Sequence, residues 1–419
     1  MTLHKTIKMR VFIADYLPLA NKGEEEILRG IEALYSKNGD EVIAFSVFGD
    51  VKNKLQVGNV TIYPKYICYP DYKVNGKRRT VLTILWAILN CFGYYPYRKS
   101  LSQRSEVLND LRNSDTILIG HDGFFNLRCA MLGNYIIKKG LRYGILGAGF
   151  NKPSRKIAWA YNPVFKKCFD NATFVILREQ TAYNYVKSIS KNKHISLYPD
   201  PAFFCPADKY DRESVARIKN KYNIDSSEGM KIGLTVCEDS ISFSKAFVNS
   251  LNREYDHRVF IAKTMEAINE HVPCTFYFLP HCIKEGKGND LAIAKDIKVR
   301  LKETVRCEII EEDMPVLDLK HIISLMDLVI GERTHSIINS IATATPFVCL
   351  TCSSDFRTHD IVGNGCGLPE QVYNMDFPDE DALIALVNKT VDGFQELVRK
   401  LQTIGVEHES IKKNFQEII

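Results

Sequence analysis

The sequence predicts an α/β fold of two units in series, and three observations carry that reading. Short apolar runs, too brief for helices, alternate with stretches of helical spacing along the chain. Those runs end in glycine, proline or polar residues, as strands of an open sheet do at their carboxyl ends. At 419 residues the chain exceeds one ordinary core, and the alternation pauses and restarts near its middle.

Taken in order, Val11-Phe12-Ile13-Ala14 reads as the first strand, and Asp15 cuts its apolar run too early for a signal peptide. Asn21-Lys22-Gly23-Glu24-Glu25 then opens a helix with Ile27, Leu28, Ile31, Leu34 and Tyr35 at helical spacing. Acids in its first turn suit the dipole, and Gly23 lets the backbone approach whatever lies above the strand. A second strand follows at 42–45, while 50–72, rich in Tyr, Lys and Pro, gives no secure reading. Residues 81–97 form a long apolar segment with Trp86, Phe92, Tyr94, Tyr95 and Tyr97, between Lys77-Arg78-Arg79 and Arg98-Lys99. Further strands are expected at 115–120, before the loop His121-Asp122-Gly123-Phe124, and at 143–146, before Gly147-Ala148-Gly149. Two more, at 173–177 and 195–198, lead into Arg178-Glu179 and Pro199-Asp200-Pro201.

The first domain is placed at residues 1–208 and the second at 209–419. In the second, strands are expected at 231–236, 275–279, 307–310, 328–330 and 347–351, with an amphipathic helical region from Asp379 onward. The glycine turns lack the full dinucleotide fingerprint. The ligand crevices of the two domains are expected to face each other across a cleft.

Composition excludes some classes. A net charge of +5 makes no electrostatic case for nucleic acid. Twelve cysteines without a disulfide rhythm suit the reduced thiols of a cytoplasmic protein. Cys349 and Cys352, with His359 and Cys366 downstream, have zinc-like spacing, but Cys349 falls in an expected buried strand and no second pair exists. No metal is assigned. No segment has the roughly 18 apolar residues that span a bilayer.

The most informative stretch is Leu328-Val329-Ile330-Gly331-Glu332-Arg333-Thr334-His335-Ser336, where a strand hands over to a buried helix that ends before Pro346. Open α/β sheets bind ligands at such strand exits, and a helix amino end suits an anion. Arg333 can fork onto a carboxylate or phosphate, and His335 can hand over a proton near neutral pH. The pattern points to a small acidic substrate. A simpler reading has both residues capping the helix and pairing with Glu332.

Four places, in order along nearly the whole chain, resemble the polysaccharide pyruvyl transferases. They are Asn21-x-Gly23-Glu24-x-x-Ile27; Ile176-Leu177-Arg178-Glu179 with Asp200-Pro201-Ala202; Leu279-Pro280-His281; and Gly331 to Ser336 with Ala342 and Pro346. Glu24 stands where that family commonly has aspartate, Gly120-His121-Asp122-Gly123 replaces its Gly-Gly-Gly loop, and Arg357 occupies roughly the place of a lysine. The resemblance implies two Rossmann-like domains similar to glycosyltransferase-B enzymes, with the acceptor on the first and the donor on the second. It implies phosphoenolpyruvate as donor, no cofactor, and a sugar of a surface polysaccharide, or its lipid-linked precursor, as acceptor.

On that basis His335 is the expected acid, and Arg333 with Arg178 the expected donor clamp. The helix amino end favours a neutral His335 imidazole, while Glu332 and a bound anion favour the charged form, and the bound anion is expected to prevail. Asp122, His121 and His281 are alternative acceptors of the hydroxyl proton, while Asn21, Gly23, Glu24 and Arg357 complete the substrate-binding set. The rivals are a glycosyltransferase-B enzyme using a nucleotide sugar and a non-catalytic carbohydrate-binding protein. Segment 81–97 is expected either to lie in the headgroup layer at the inner face of a membrane or to pack into core or a dimer contact.

Overall fold

A computed structural model gives the fold and describes residues 7–17, 21–36, 42–49, 51–64, 77–95, 105–121, 125–150, 152–206, 212–224, 229–237, 256–283, 289–353 and 355–418. The chain forms two compact units, Met1–Leu19 with Tyr35–Asp200, and Ala20–Leu34 with Pro201–Ile419.

Among the described residues the first unit carries eight strands: β1 (Ile7–Tyr16), β2 (Val42–Gly49), β3 (Leu55–Val57), β4 (Val60–Pro64), β5 (Thr116–Ile119), β6 (Gly144–Ala148), β7 (Val175–Leu177) and β8 (Ile195–Leu197). Their order is β3-β4-β2-β1-β5-β6-β7-β8. Neighbours run parallel except in the β3–β4 hairpin, which lies in the stretch that gave no sequence reading. The chain winds outward from β1 to β4, then resumes at β5 and winds the other way, so the sheet's topological switch point lies between β1 and β5. Its core gathers Phe12, Ile117, Ile119 and Ile145 with an aromatic cluster in which Phe150 meets Phe165 edge-on at 4.8 Å.

The second unit's six strands among the described residues are β9 (Met230–Thr235), β10 (Cys274–Phe278), β11 (Arg306–Ile309), β12 (Leu328–Gly331), β13 (Phe347–Thr351) and β14 (Val372–Asn374). All pair in parallel in the order β11-β10-β9-β12-β13-β14, with the switch point between β9 and β12. A parallel sheet covered on both faces needs near-continuous apolar strands, which Phe347-Val348-Cys349-Leu350 supplies. Only the short edge strand β14 went unforeseen in this unit.

Two sequence expectations change. The division between units falls after Asp200 rather than Pro206-Ala207-Asp208, and residues 20–34 belong to the second unit. The reason is packing on the Lys22–Tyr35 helix. Asn339 on the Thr334–Ala342 helix donates to the fully buried Glu26 at 2.5 Å, and a Cβ on Gly30 would stand 1.7 Å from the Pro201 carbonyl oxygen. Asn21, Gly23 and Glu24, assigned by sequence to the first domain, therefore join Arg333 and His335 in the second. The apolar segment, in turn, is a helix that begins earlier than expected, at Lys77, and ends at Cys91.

Candidate active site

The site is built at the exits of β9, β10 and β12. Gly331 closes β12, and the Thr334–Ala342 helix starts with Arg333 at its N-cap. The arginine side chain carries no acceptor and caps none of the first-turn N–H groups; the Ser336 N–H turns back to the Arg333 carbonyl at 3.0 Å, and this helix end suits an anion. His335 lies inside the first turn of this helix, which starts at Thr334.

Arg333 is fixed by Asp290, the first residue of the Asp290–Lys298 helix. Its Nη2 meets Oδ1 at 2.5 Å and its Nε meets Oδ2 at 3.2 Å. Oδ2 also accepts the backbone N–H groups of His281 at 3.0 Å and Cys282 at 3.1 Å. Burial raises the Asp290 pKa, against Arg333 and those two N–H groups, which favour the charged form. The fork that Arg333 could offer a ligand is thus taken along one edge, leaving Nη1 beyond the pair.

The start of the Lys22–Tyr35 helix lies against this assembly. Asn21 bridges to Cys282, the Lys22 N–H donates to the His281 carbonyl at 3.1 Å, and the Asn21 side chain accepts from Gly23 N at 3.2 Å. A Cβ on Gly23 would stand 2.3 Å from His335 Nδ1, so the imidazole rests directly on Gly23 backbone. Glu24 is buried beside it, and Lys22 is buried with its Nζ 2.5 Å from Asp313. The weak Asn-x-Gly-Glu signal thus has a physical cause: only glycine lets His335 in.

His281, at the exit of β10, is fully buried. Its Nδ1 lies 3.0 Å from the Leu279 carbonyl, which fixes the proton on Nδ1 and leaves Nε2 as an acceptor. Among the described residues Nε2 has no hydrogen-bond partner. Burial lowers the His281 pKa to about 3, against the Leu279 bond and aided by the charges of Arg333, His335 and Lys22.

Glu332 does not pair with Arg333 or His335. Its carboxylate accepts the Cys237 N–H at 2.8 Å and bonds His257 Nε2, with both side chains fully buried. The simpler reading of the Arg-x-His stretch, an ion pair with Glu332, is therefore not what the fold builds. Arg357, in the short Phe356–Thr358 helix, bonds Asp355 at 3.0 Å, and Thr358 in the same turn meets Thr334 at 2.7 Å. This brings the β13 exit against the Arg-x-His turn.

The remaining candidates belong to the first unit. His121 follows β5 at the switch point and is fully buried. Arg178, after β7, is buried in an ion pair with Asp200 after β8, and its Nε lies 3.7 Å from Glu179. The Arg-Glu and Asp-Pro fragments, separate in sequence, are thus one structural pair. Asp122 lies outside the described residues. Sequence reasoning missed Asp290, Lys22 and His257 as parts of the site. Asn289-Asp290 did carry a helix-start signal, since Asn289 caps Ala292 N at 3.2 Å.

The sequence profile of the family described as polysaccharide pyruvyl transferase matches residues 21–354. The chain belongs to the polysaccharide pyruvyl transferase family. The pyruvyl transferase match begins at Asn21 and takes in Gly23, Arg178, His281, Asp290, Arg333 and His335, while Arg357 lies just beyond it. No curated protein matches the chain by sequence. Among solved structures, UDP-GlcNAc 2-epimerase from Neisseria meningitidis bound to UDP-GlcNAc aligns at TM-score 0.55 and 10% identity, covering 94% of each chain. Arabidopsis thaliana UGT89C1 complexed with UDP-L-rhamnose aligns at 0.53 and 10%, covering 98% of this chain and 100% of that one. An α,α-trehalose-phosphate synthase (UDP-forming) from Burkholderia vietnamiensis aligns at 0.53 and 10%, covering 99% and 100%. At that identity the likeness shows the fold alone, and the fold is of the glycosyltransferase-B type.

Proposed function

We propose that this enzyme transfers the pyruvyl group of phosphoenolpyruvate to two hydroxyls of a sugar in a surface polysaccharide or its lipid-linked precursor, forming a pyruvate ketal in the cytoplasm. One observation carries the assignment: His335 lies on Gly23 in the first turn of a helix whose N-cap is an Asp290-anchored arginine. Phosphoenolpyruvate carries a phosphate and a carboxylate, and Arg333 with the helix end supplies fixed positive charge for them. Arg178 is the second cation nominated by the sequence.

In this reading His335 donates its proton to the methylene carbon of the donor, which becomes a methyl group and leaves the adjacent carbon electrophilic. A sugar hydroxyl attacks that carbon, and its proton passes to the His281 Nε2 lone pair. A second hydroxyl closes the ketal as the carbon–phosphate oxygen bond breaks, and that hydroxyl's proton leaves with the phosphate. The proton gained from the first hydroxyl restores the histidines. His281 is chosen because its free Nε2 is an acceptor amid the donors Arg333, Lys22 and His335. A bound polyanion offsets the repulsion those cations exert, so donor binding raises the proton affinity of His281.

The test is incubation with phosphoenolpyruvate and a panel of sugars bearing paired hydroxyls, read as phosphate release. Release that depends on both compounds supports the reading. Tight binding of a nucleotide sugar with no binding of phosphoenolpyruvate overturns it. That second reading draws on the UDP-sugar complexes among the fold's neighbours.

A further inference from the structure

The Lys77–Cys91 helix of the first unit leaves an apolar stripe uncovered. Its buried residues are Ala87 and Asn90, while Val81 is 65% exposed, Leu85 48% and Phe92, just past its end, 86%. Trp86 is turned inward on Tyr94, with ring centroids 5.3 Å apart. Positions 81, 85 and 92 fall on one side of a helix.

A second exposed aromatic stands beside it. The Lys77–Cys91 and Arg155–Asn171 helices pack together, and the buried Asn134 side chain donates to both Asn90 at 3.0 Å and the Val164 carbonyl at 3.3 Å. Further on, Lys167 meets the Tyr95 hydroxyl at 3.3 Å. Arg155, Lys156 and Trp159 lie in the opening turns of that neighbouring helix. Trp159 is 63% exposed.

Charge on this face has one sign. Lys77, Arg78 and Arg79 fill the first turn of one helix and Arg155 and Lys156 that of the other, all exposed; 77–95 contains no acid, and the acid of the second helix, Asp170, lies near its far end, paired with Lys166. Cations at a helix amino end oppose the dipole. An anion suits both these side chains and the helix amino ends. Exposed Phe, Leu, Val and Trp next to them need an apolar phase. Phosphate headgroups above acyl chains present both within the depth an interfacial helix occupies.

We infer that this face docks on a bilayer of anionic lipid, with Val81, Leu85, Phe92 and Trp159 inserted and Lys77, Arg78, Arg79, Arg155 and Lys156 at the headgroups. No helix among the described residues is long and apolar enough to cross a membrane, so the attachment is to one surface. It makes a lipid-linked acceptor reachable, but it stands whether or not phosphoenolpyruvate is the donor.

Co-sedimentation of the full chain with vesicles tests this without any activity readout. Binding is expected to phosphatidylcholine mixed with phosphatidylglycerol, not to phosphatidylcholine alone, and is expected to fall as salt rises from about 0.05 M to about 0.5 M. Each neutralised cation costs roughly fivefold in affinity, so the triple change Lys77→Gln, Arg78→Gln, Arg79→Gln weakens binding by about a hundredfold. Leu85→Glu with Phe92→Glu abolishes it, while circular dichroism and the thermal midpoint stay at wild-type values. Wild type that ignores anionic vesicles at low salt overturns the inference, as does the Leu85, Phe92 variant binding normally. A wild-type dimer that the same variant converts to monomer, with vesicles ignored, makes the face a contact between copies.

Discussion

At the scale of single residues, Arg333 and His335 could be nominated from the sequence because only Thr334 separates them at a strand exit, where one window holds both. Asp290, Lys22 and His257 were not, because each acts through a partner that only the fold brings near. Arg333→Ala is expected to abolish phosphoenolpyruvate binding by calorimetry; unchanged affinity removes that arginine from the donor site. His335→Gln should keep donor affinity while turnover falls about 10²–10⁴-fold, the usual loss for a general acid. His281→Gln retains an acceptor but cannot take a proton, so it too should bind donor and turn over slowly. Gly23→Ala places a methyl where His335 Nδ1 lies. Its turnover should drop at least tenfold with the secondary structure unchanged; full activity would show that His335 works from elsewhere.

Among elements, β10, β12 and β13 of the second sheet were readable because burial on both faces leaves unbroken apolar runs. β3, β4 and β14 were not: all are short, β3 and β14 lie at sheet edges with exposed or polar positions, and β4, one strand in, mixes Thr61, Tyr63 and Pro64 into its apolar run. The Lys22–Tyr35 helix was found, but its allegiance was not. Amphipathic spacing says that a helix has an inner face and not which sheet the face meets. Its tie to the Thr334–Ala342 helix runs through buried Glu26 and Asn339. Asn339→Ala leaves that carboxylate short of a donor and should destabilise the second unit by about 1–3 kcal/mol in urea unfolding. A loss below about 0.5 kcal/mol would mean that the contact is incidental.

For the whole molecule, buried histidines set a pH dependence. His281 is held neutral with its pKa lowered to about 3 by burial first, and half-buried His408, against Phe203, is lowered to about 4 by burial. In the unfolded chain both protonate near 6.5. Between those values the unfolded state binds more protons, so stability falls as pH falls, by up to about 1.4 kcal/mol per pH unit for His281. The loss begins below about pH 6.5 and levels off once the folded-state values are passed. Unfolding midpoints followed from about pH 7 to about pH 4.5 should show this slope, and His281→Gln with His408→Gln should flatten it. An unchanged slope would place the titration in other groups.

The threading of the two units bears on how the protein is made. Glu26 and Asn339 are 313 residues apart. At ribosomal speeds of about 5–20 residues per second, roughly 15–60 s separate their synthesis. Through that interval the first unit has its own strands to pair with, while the helix before it has been made but lacks its seat. A nascent chain stalled after residue 206 should therefore yield a protease-resistant first sheet alongside a helix 22–35 still open to cleavage, and only the emergence of residues beyond 342 should protect it.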